Sequence, residues 1–147
     1  MPKKAKKVTL SKAKKVRHIS LKSLRGKAWK LISEYVRRQG ADKQGLVFCF
    51  TCGKKAHYKT MDCGHYIHKN CLDYDLVNLK KQCTRCNRFL HGNTGVYAER
   101  LIAEYGEQTI AELRVRSQQV KKFTIFELLA LQETYKQKIL ELGGTNV

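Results

Sequence analysis

The sequence predicts an α+β fold, mainly helical, in which a zinc-clamped core is flanked by helices and preceded by a disordered basic arm. Three observations carry that expectation. Two Cys-x-x-Cys pairs, Cys49/Cys52 and Cys83/Cys86, bracket a short segment containing Asp62-Cys63-Gly64-His65. Apolar residues recur at helical spacing on both sides of it, at Ala28, Leu31, Ile32, Tyr35 and Val36 and again at Ile125, Leu128, Leu131, Tyr135, Ile139 and Leu142. Residues 1 to 33 hold twelve Lys or Arg and no acid, and a like-charge block rarely folds alone.

At 147 residues the chain is long enough for one domain with decorations, not for two independent cores. The expected boundaries are a basic arm over 1–23, a single domain over 24–142 and a tail over 143–147. Within the domain come a helix over 24–40, the zinc core over 45–94 and C-terminal helices over 95–142. Gly40 offers the first helix a stop, and Trp29 reads as packing. A strand over Leu46–Phe50 feeds the first zinc turn, with Gly45 and Gly53 as punctuation. Tyr66 and Ile67 continue a strand from His65. The second cysteine pair opens a helix through Asn87 to His91, which places Asn87 and His91, four apart, on one helical face. Further helices run over Gly95–Tyr105, ended by Gly106, and over Thr109–Arg116. A capping box at Thr124 and Glu127 opens the last helix, which ends before Gly143-Gly144. Its apolar stripe packs on the core by default, with self-association into a homodimer as the second use.

A thiolate pair two residues apart grips one side of a zinc ion, and a second pair distant in sequence completes a closed tetrahedron with no open catalytic position. The competing reading is two disulfides. No apolar signal sequence is visible and the chain starts lysine-rich, so zinc and a cytoplasmic location are expected. Lys and Arg outnumber Asp and Glu by 30 to 12, giving +18 and a pI near 9.9. Such an excess favours polyanions, nucleic acid first and an anionic membrane second. No apolar run is long enough for a spanning helix. The basic residues expected on DNA phosphates are Lys3, Lys4, Lys6 and Lys7 in the arm, and Arg37, Arg38, Lys80, Lys81, Arg85 and Arg88 in the body.

A structural zinc explains only how the region is held, so His65, Asn78 and Asn87 carry the functional expectation. A histidine, then an asparagine, then a helix bearing Asn beside a zinc-binding cysteine resembles the HNH, or ββα-metal, nucleases. The pattern narrows to the NinG family of lambdoid phages, also called Rap recombination nucleases. The resemblance covers Ser33-Glu34-Tyr35-Val36-Arg37, Cys49-Phe50-Thr51-Cys52-Gly53-Lys54, Asp62-Cys63-Gly64-His65-Tyr66-Ile67, the run from Asn78 to Asn87, Gly92-Asn93 and Tyr97. It implies a structure-selective, metal-dependent endonuclease that hydrolyses phosphodiester bonds in branched DNA such as Holliday junctions and D-loops.

Under that resemblance His65 is the general base, since imidazole has an unperturbed pKa of about 6.5. Asn78 orients the imidazole, Asn87 is an oxygen ligand to a catalytic magnesium or manganese ion, and His91 is a second ligand or a phosphate contact. Gly64 departs from the pattern, because many such nucleases carry a metal ligand immediately before the base. Asp62, on the same strand face as Gly64, is the expected substitute. Asp73 and Asp75 read as solvated loop acids. A rival use of the same segment is a second zinc site from Cys63, His65, His68 and Cys71, which would consume His65. The alternative function is a zinc-stabilised DNA-binding recombination accessory protein without chemistry.

Overall fold

The computed structural model describes residues 20–143. Helix α1 (Leu21–Arg38) starts within the stretch read as arm, three residues before the expected Leu24. The Ser20 hydroxyl accepts from the Ser23 N–H at 3.2 Å and closes its first turn. The cationic residues Lys22, Lys27 and Lys30 stay exposed, while Leu24, Ala28, Leu31, Ile32 and Val36 are buried. The charge run is thus the wet face of an amphipathic helix over its last residues. Lys3, Lys4, Lys6 and Lys7, with most of the expected arm, lie outside the described residues.

Strands β1 (Leu46–Phe48) and β2 (Lys55–His57) form one antiparallel pair, with Val47 opposite Ala56. Strands β3 (Met61–His65) and β4 (Leu79–Cys83) form a second, registered Met61 to Cys83, Asp62 to Gln82, Gly64 to Lys80 and His65 to Leu79. Tyr66 and Ile67 do not continue the strand. Beyond His65 the chain turns away, and Tyr66 N–H donates to Asn78 O at 2.9 Å as the last rung.

The helix expected from the second cysteine pair through Asn87 to His91 is also shorter in the structure. A single wide π turn covers Arg85–Phe89. His91, Gly92 and Asn93 then all take positive φ, at 47°, 83° and 48°, a run that no right-handed helix tolerates. Gly92 N–H returns to Cys86 O and Asn87 O, closing the turn. Asn87 and His91 therefore do not share a helical face.

Helices α2 (Thr94–Tyr105), α3 (Thr109–Ser117) and α4 (Ile125–Glu141) follow. Thr124 and Glu127 make the expected capping box at the start of α4. The buried face of α4 is Leu128, Gln132, Tyr135 and Ile139, whereas Ile125 and Leu142 from the expected stripe are exposed. Gln132 is accommodated because its amide donates to Leu24 O. Helices α1 and α4 enclose Leu31, Ile32, Val36, Tyr135 and Ile139 against Leu79 of β4. Helices α2 and α3 gather Tyr97, Leu101 and Leu113 around Leu72. The result is a mixed, mostly helical fold with two small sheets, and no described helix is long and apolar enough to cross a membrane.

Candidate functional site

Among the described residues, Cys49, Cys52, Cys83 and Cys86 are the group of His, Cys, Asp or Glu that could hold a metal ion, their sulfurs all within 4.8 Å of one another. Cys52 Sγ and Cys83 Sγ stand 3.7 Å apart. A tetrahedral site with metal–sulfur bonds of ~2.3 Å has edges of ~3.8 Å, so the donor set fits zinc. Burial opposes ionisation of Cys49, but the Cys52 N–H, the Thr51 hydroxyl and the Cys83 N–H outweigh it and bring the thiol down to about 6. Burial, with the neighbouring thiols Cys52 and Cys83, pushes Cys86 up to about 12. The protein alone favours the thiolate at Cys49 and the thiol at Cys86, and a cation would be needed to ionise both together.

Strand alternation divides the β3–β4 hairpin into two faces. Asp62 and Gly64 lie on one, with Gln82 and Asn87. Asn87 Nδ2 donates to Asp62 Oδ2 at 3.2 Å, and Arg88 grips both Asp62 oxygens from Nε and Nη2, each at 2.9 Å. Burial resists ionisation of Asp62, but bonds from Arg88 and Asn87 prevail and hold its carboxyl below the usual range. The sequence placed Asp62 beside Asn87 as a cation ligand. The structure brings the two together, with a guanidinium already on the carboxylate. Asp62 fixes the Asn87 amide so that Oδ1 faces Gly64, 3.0 Å from where a Cβ would stand.

Cys63 and His65 lie on the other face, against α1. His65 stacks on Trp29 with ring centroids 4.9 Å apart and planes 16° from parallel, and His68 sits at 5.1 Å. Burial lowers the His65 pKa below its ordinary value, the nearby His68 lowers it further, and Asp73 acts weakly in the opposite direction. The imidazole is therefore neutral at physiological pH, as a proton acceptor must be. A cavity of about 300 Å³, lined by Arg25, Trp29, His65, Asp73 and Tyr74 among others, opens beside it. Trp29 does pack, as expected, but its partner is the candidate base.

Asn78 has a different task from the expected one. Its side chain is fully buried. Oδ1 accepts from Ile67 N–H at 2.8 Å, and Nδ2 donates to Ile67 O at 2.9 Å and Leu72 O at 3.3 Å. Both amide hydrogens are spent on the backbone, so Asn78 pins the loop that leaves His65 instead of touching its ring. Tyr97 adds a second pin, donating to Gly64 O and Asn78 O. His91 is exposed.

The rival zinc site does not assemble. Burial pushes the Cys63 thiol up to about 12 against the Arg37 charge, and Cys71 Sγ donates to Arg116 O and Ser117 O. Asp73 and Asp75 are not free loop acids: Asp73 pairs with Arg25 at 3.0 Å, and Asp75 accepts from Val77 N–H, Asn78 N–H and Arg116. Several of the expected phosphate contacts are likewise engaged within the fold. Arg38 pairs with Glu34, Lys80 with Glu104 and Arg88 with Asp62. Lys81 donates to Gln39 O at the end of α1. Arg85 is exposed, and Arg37 is half-buried with Nε on Ser33 O.

The family profile described as Bacteriophage Lambda NinG protein matches residues 2–144. The chain belongs to the NinG family. It is 27% identical over 121 residues to Protein ninG of Escherichia phage 933W, covering 80% of this chain and 57% of that one. The figures for Protein ninG of Escherichia phage lambda are 27% over 121 residues, 80% and 56%. The chain thus spans a little over half the length of the curated NinG relatives it matches. No solved structure matches it. The fold gives Trp29 and Gln82 places in the site that the sequence did not assign them, and sets His68 beside His65. A glycine inside a strand is a signal of close approach by another group, but nothing local names Gln82 as that group; the Trp29 contact crosses between distant elements and left no local mark.

Proposed function

We propose that the chain is a metal-dependent DNA endonuclease of the ββα-metal kind, hydrolysing phosphodiester bonds in branched DNA, with His65 as general base. The observation that carries this reading is the placement of the half-buried His65 imidazole, stacked on Trp29, one residue from Gly64, over which the Asn87 Oδ1 is aimed. Consecutive Cα atoms stand ~3.8 Å apart, so a proton acceptor and an oxygen donor to a cation flank a single peptide unit.

In this mechanism His65 takes the proton of the attacking water on a free ring nitrogen, its ring plane set by Trp29. Asn78 and Tyr97 keep the His65 end of the hairpin from shifting, through the loop bonds already described. Asn87 offers an oxygen, held in its orientation by Asp62. Magnesium or manganese, when bound, would stabilise charge on a non-bridging phosphate oxygen and the leaving 3′ oxygen. Exposed Arg85, His91 and the basic residues around them approach the DNA backbone, and two copies acting across a twofold axis would make paired cuts. The four-cysteine cluster, as a zinc site, fixes the turn that carries Asn87 and takes no part in the chemistry.

The second reading, a DNA-binding protein without chemistry, is favoured by one observation: Arg88 neutralises Asp62, the nearest carboxylate to Gly64. Cleavage of labelled four-way junction, fork, linear duplex and single strand at fixed salt, with magnesium, manganese or EDTA, separates the two. Metal-dependent cutting of junctions, abolished in His65→Ala with junction binding retained, is expected. Binding of all four without cutting in any metal would sink the nuclease reading, and undiminished cutting by His65→Ala would remove His65 as base.

A further inference from the structure

The space over Gly64 is not vacant. An ideal Cβ built there would overlap Gln82 Oε1. Gln82 faces Asp62 across the β3–β4 pair, and its side chain leans diagonally to Gly64, within reach for a long residue on the same sheet face. The amide cannot be turned over: Nε2 donates to Gly92 O at 2.7 Å and to Thr51 Oγ1 at 3.2 Å, and a carbonyl only accepts. Oε1 is therefore the atom aimed at Gly64. The residue is fully buried, and among the described residues Oε1 is the buried side-chain polar atom left with no hydrogen-bond partner.

Its neighbour makes that orphan informative. Asn87 Oδ1 also faces the Gly64 position, and its orientation is equally fixed, because Nδ2 is committed to Asp62. Two amide oxygens converge on one glycine with no donor between them. Such an arrangement is unfavourable unless something positive joins it, and hard divalent cations accept carbonyl oxygens of Asn and Gln as ligands.

We propose that Gln82 supplies, from the neighbouring strand, the oxygen ligand that position 64 lacks, so that Gln82 Oε1 and Asn87 Oδ1 together bind a hard divalent cation. Glycine at 64 then follows from the Gln82 amide, since any side chain there would displace it. The inference rests on the nuclease reading only in that a hard cation visits this site. Thr51 ties it to the cysteine cluster, its hydroxyl lying 3.4 Å from Cys49 Sγ while accepting from Gln82. Two neutral ligands leave most of the coordination sphere to water and phosphate, the usual habit of magnesium.

The test is a magnesium titration of the zinc-loaded, isotope-labelled chain, read at side-chain carbonyl carbons by NMR. Saturable shifts at Gln82 Cδ and Asn87 Cγ are expected, with the buried amides of Asn78 and Gln132 still. If Asn87 responds and Gln82 does not, or if junctions are cut with magnesium while Gln82 stays unmoved, this proposal falls and the nuclease reading survives. If neither amide responds and no junction is cut, both fall. As a second measurement, manganese affinity by EPR should weaken about 10- to 100-fold in Gln82→Met at unchanged zinc content. Gln82→Ala should weaken it likewise, and adding Gly64→Asp to Gln82→Ala, where the carboxylate enters the space the amide leaves, should restore it. Unchanged affinity in Gln82→Met would overturn the assignment.

Discussion

The four-cysteine cluster and the polar cluster of the β3–β4 hairpin are both sets of donor atoms converging on a point, yet they are built by opposite means. Each cysteine pair gets its geometry from a local turn, and only the meeting of the two pairs needs the fold. In the hairpin, Asp62, Gln82 and Asn87 come from three segments and meet through strand register and a π turn. One cluster is nearly self-assembling; the other is imposed by everything around it. The two are joined through Thr51, between Cys49 Sγ and the Gln82 amide.

That link gives the largest expected effect. With zinc in the cysteine cluster, as proposed, its removal by chelation, or Cys83→Ser, should cost on the order of 10 kcal/mol of site free energy, comparable to the whole net stability of a domain, about 5–15 kcal/mol. The β1–β2 pair, the π turn and the Gly64 pocket should be lost together. The α1–α4 pair has its own apolar cluster and should outlast them. Hydrogen exchange on the chelated protein checks this: protection kept in α1 and α4 but lost at Gln82 and Asn87 is expected, and uniform loss would show that the two regions are one cooperative unit.

Next in size is Asn78→Ala. It deletes three side-chain hydrogen bonds and leaves the Ile67 N–H unpaired, while Ile67 O and Leu72 O keep the Lys69 and Asp75 N–H groups; the orphaned donor costs about 1–3 kcal/mol and each other lost bond about 0.5–1.5 kcal/mol. A loss of about 3 kcal/mol by urea denaturation is expected, with zinc content unchanged. Gly64→Ala should cost less, about 1–3 kcal/mol of overpacking against the Gln82 amide. A double-mutant cycle with Gln82→Ala should show Gly64→Ala becoming nearly neutral once the amide is gone. Additive effects would mean that the close approach is not a real constraint.

The same contrast explains what could be read from the sequence. Cysteine spacing, the capping box at Thr124 and the stop at Gly106 are local chemistry, and each stands where the pattern placed it. The start of α1 was misplaced because twelve cations obscured the Ser20 cap and the Leu24 position of its apolar stripe. Asn78 was assigned to the imidazole because a sequence shows that an amide is near a histidine but not which backbone groups compete for it. His91 was placed on a helix that three positive-φ residues forbid, although Gly92-Asn93 was a turn signal in plain view. The sequence shows Asp73 and Asp75 as solvated loop acids and Lys80 and Lys81 as free phosphate contacts because their partners, Arg25, Arg116, Glu104 and Gln39, are remote in sequence.

The smallest effect is also the most direct probe of the opposite hairpin face. Burial, then His68, lowers the His65 pKa, so between its folded and unfolded pKa values the unfolded chain binds a proton that the folded chain does not. Stability contributed at this site is therefore full above the unfolded value of about 6.5 and declines as pH falls through it towards the folded pKa. By the same shift, the acid limb of any cleavage activity should lie below pH ~6.5, because the base stays neutral there. Imidazole proton NMR should place the His65 midpoint under that value. Trp29→Ala opens one ring face to water and should raise the midpoint towards it, with the cysteine cluster undisturbed. A His65 midpoint unmoved by losing Trp29 would mean that the stack orients the ring without desolvating it, and the shift would then rest on His68 and the remaining walls of the cavity.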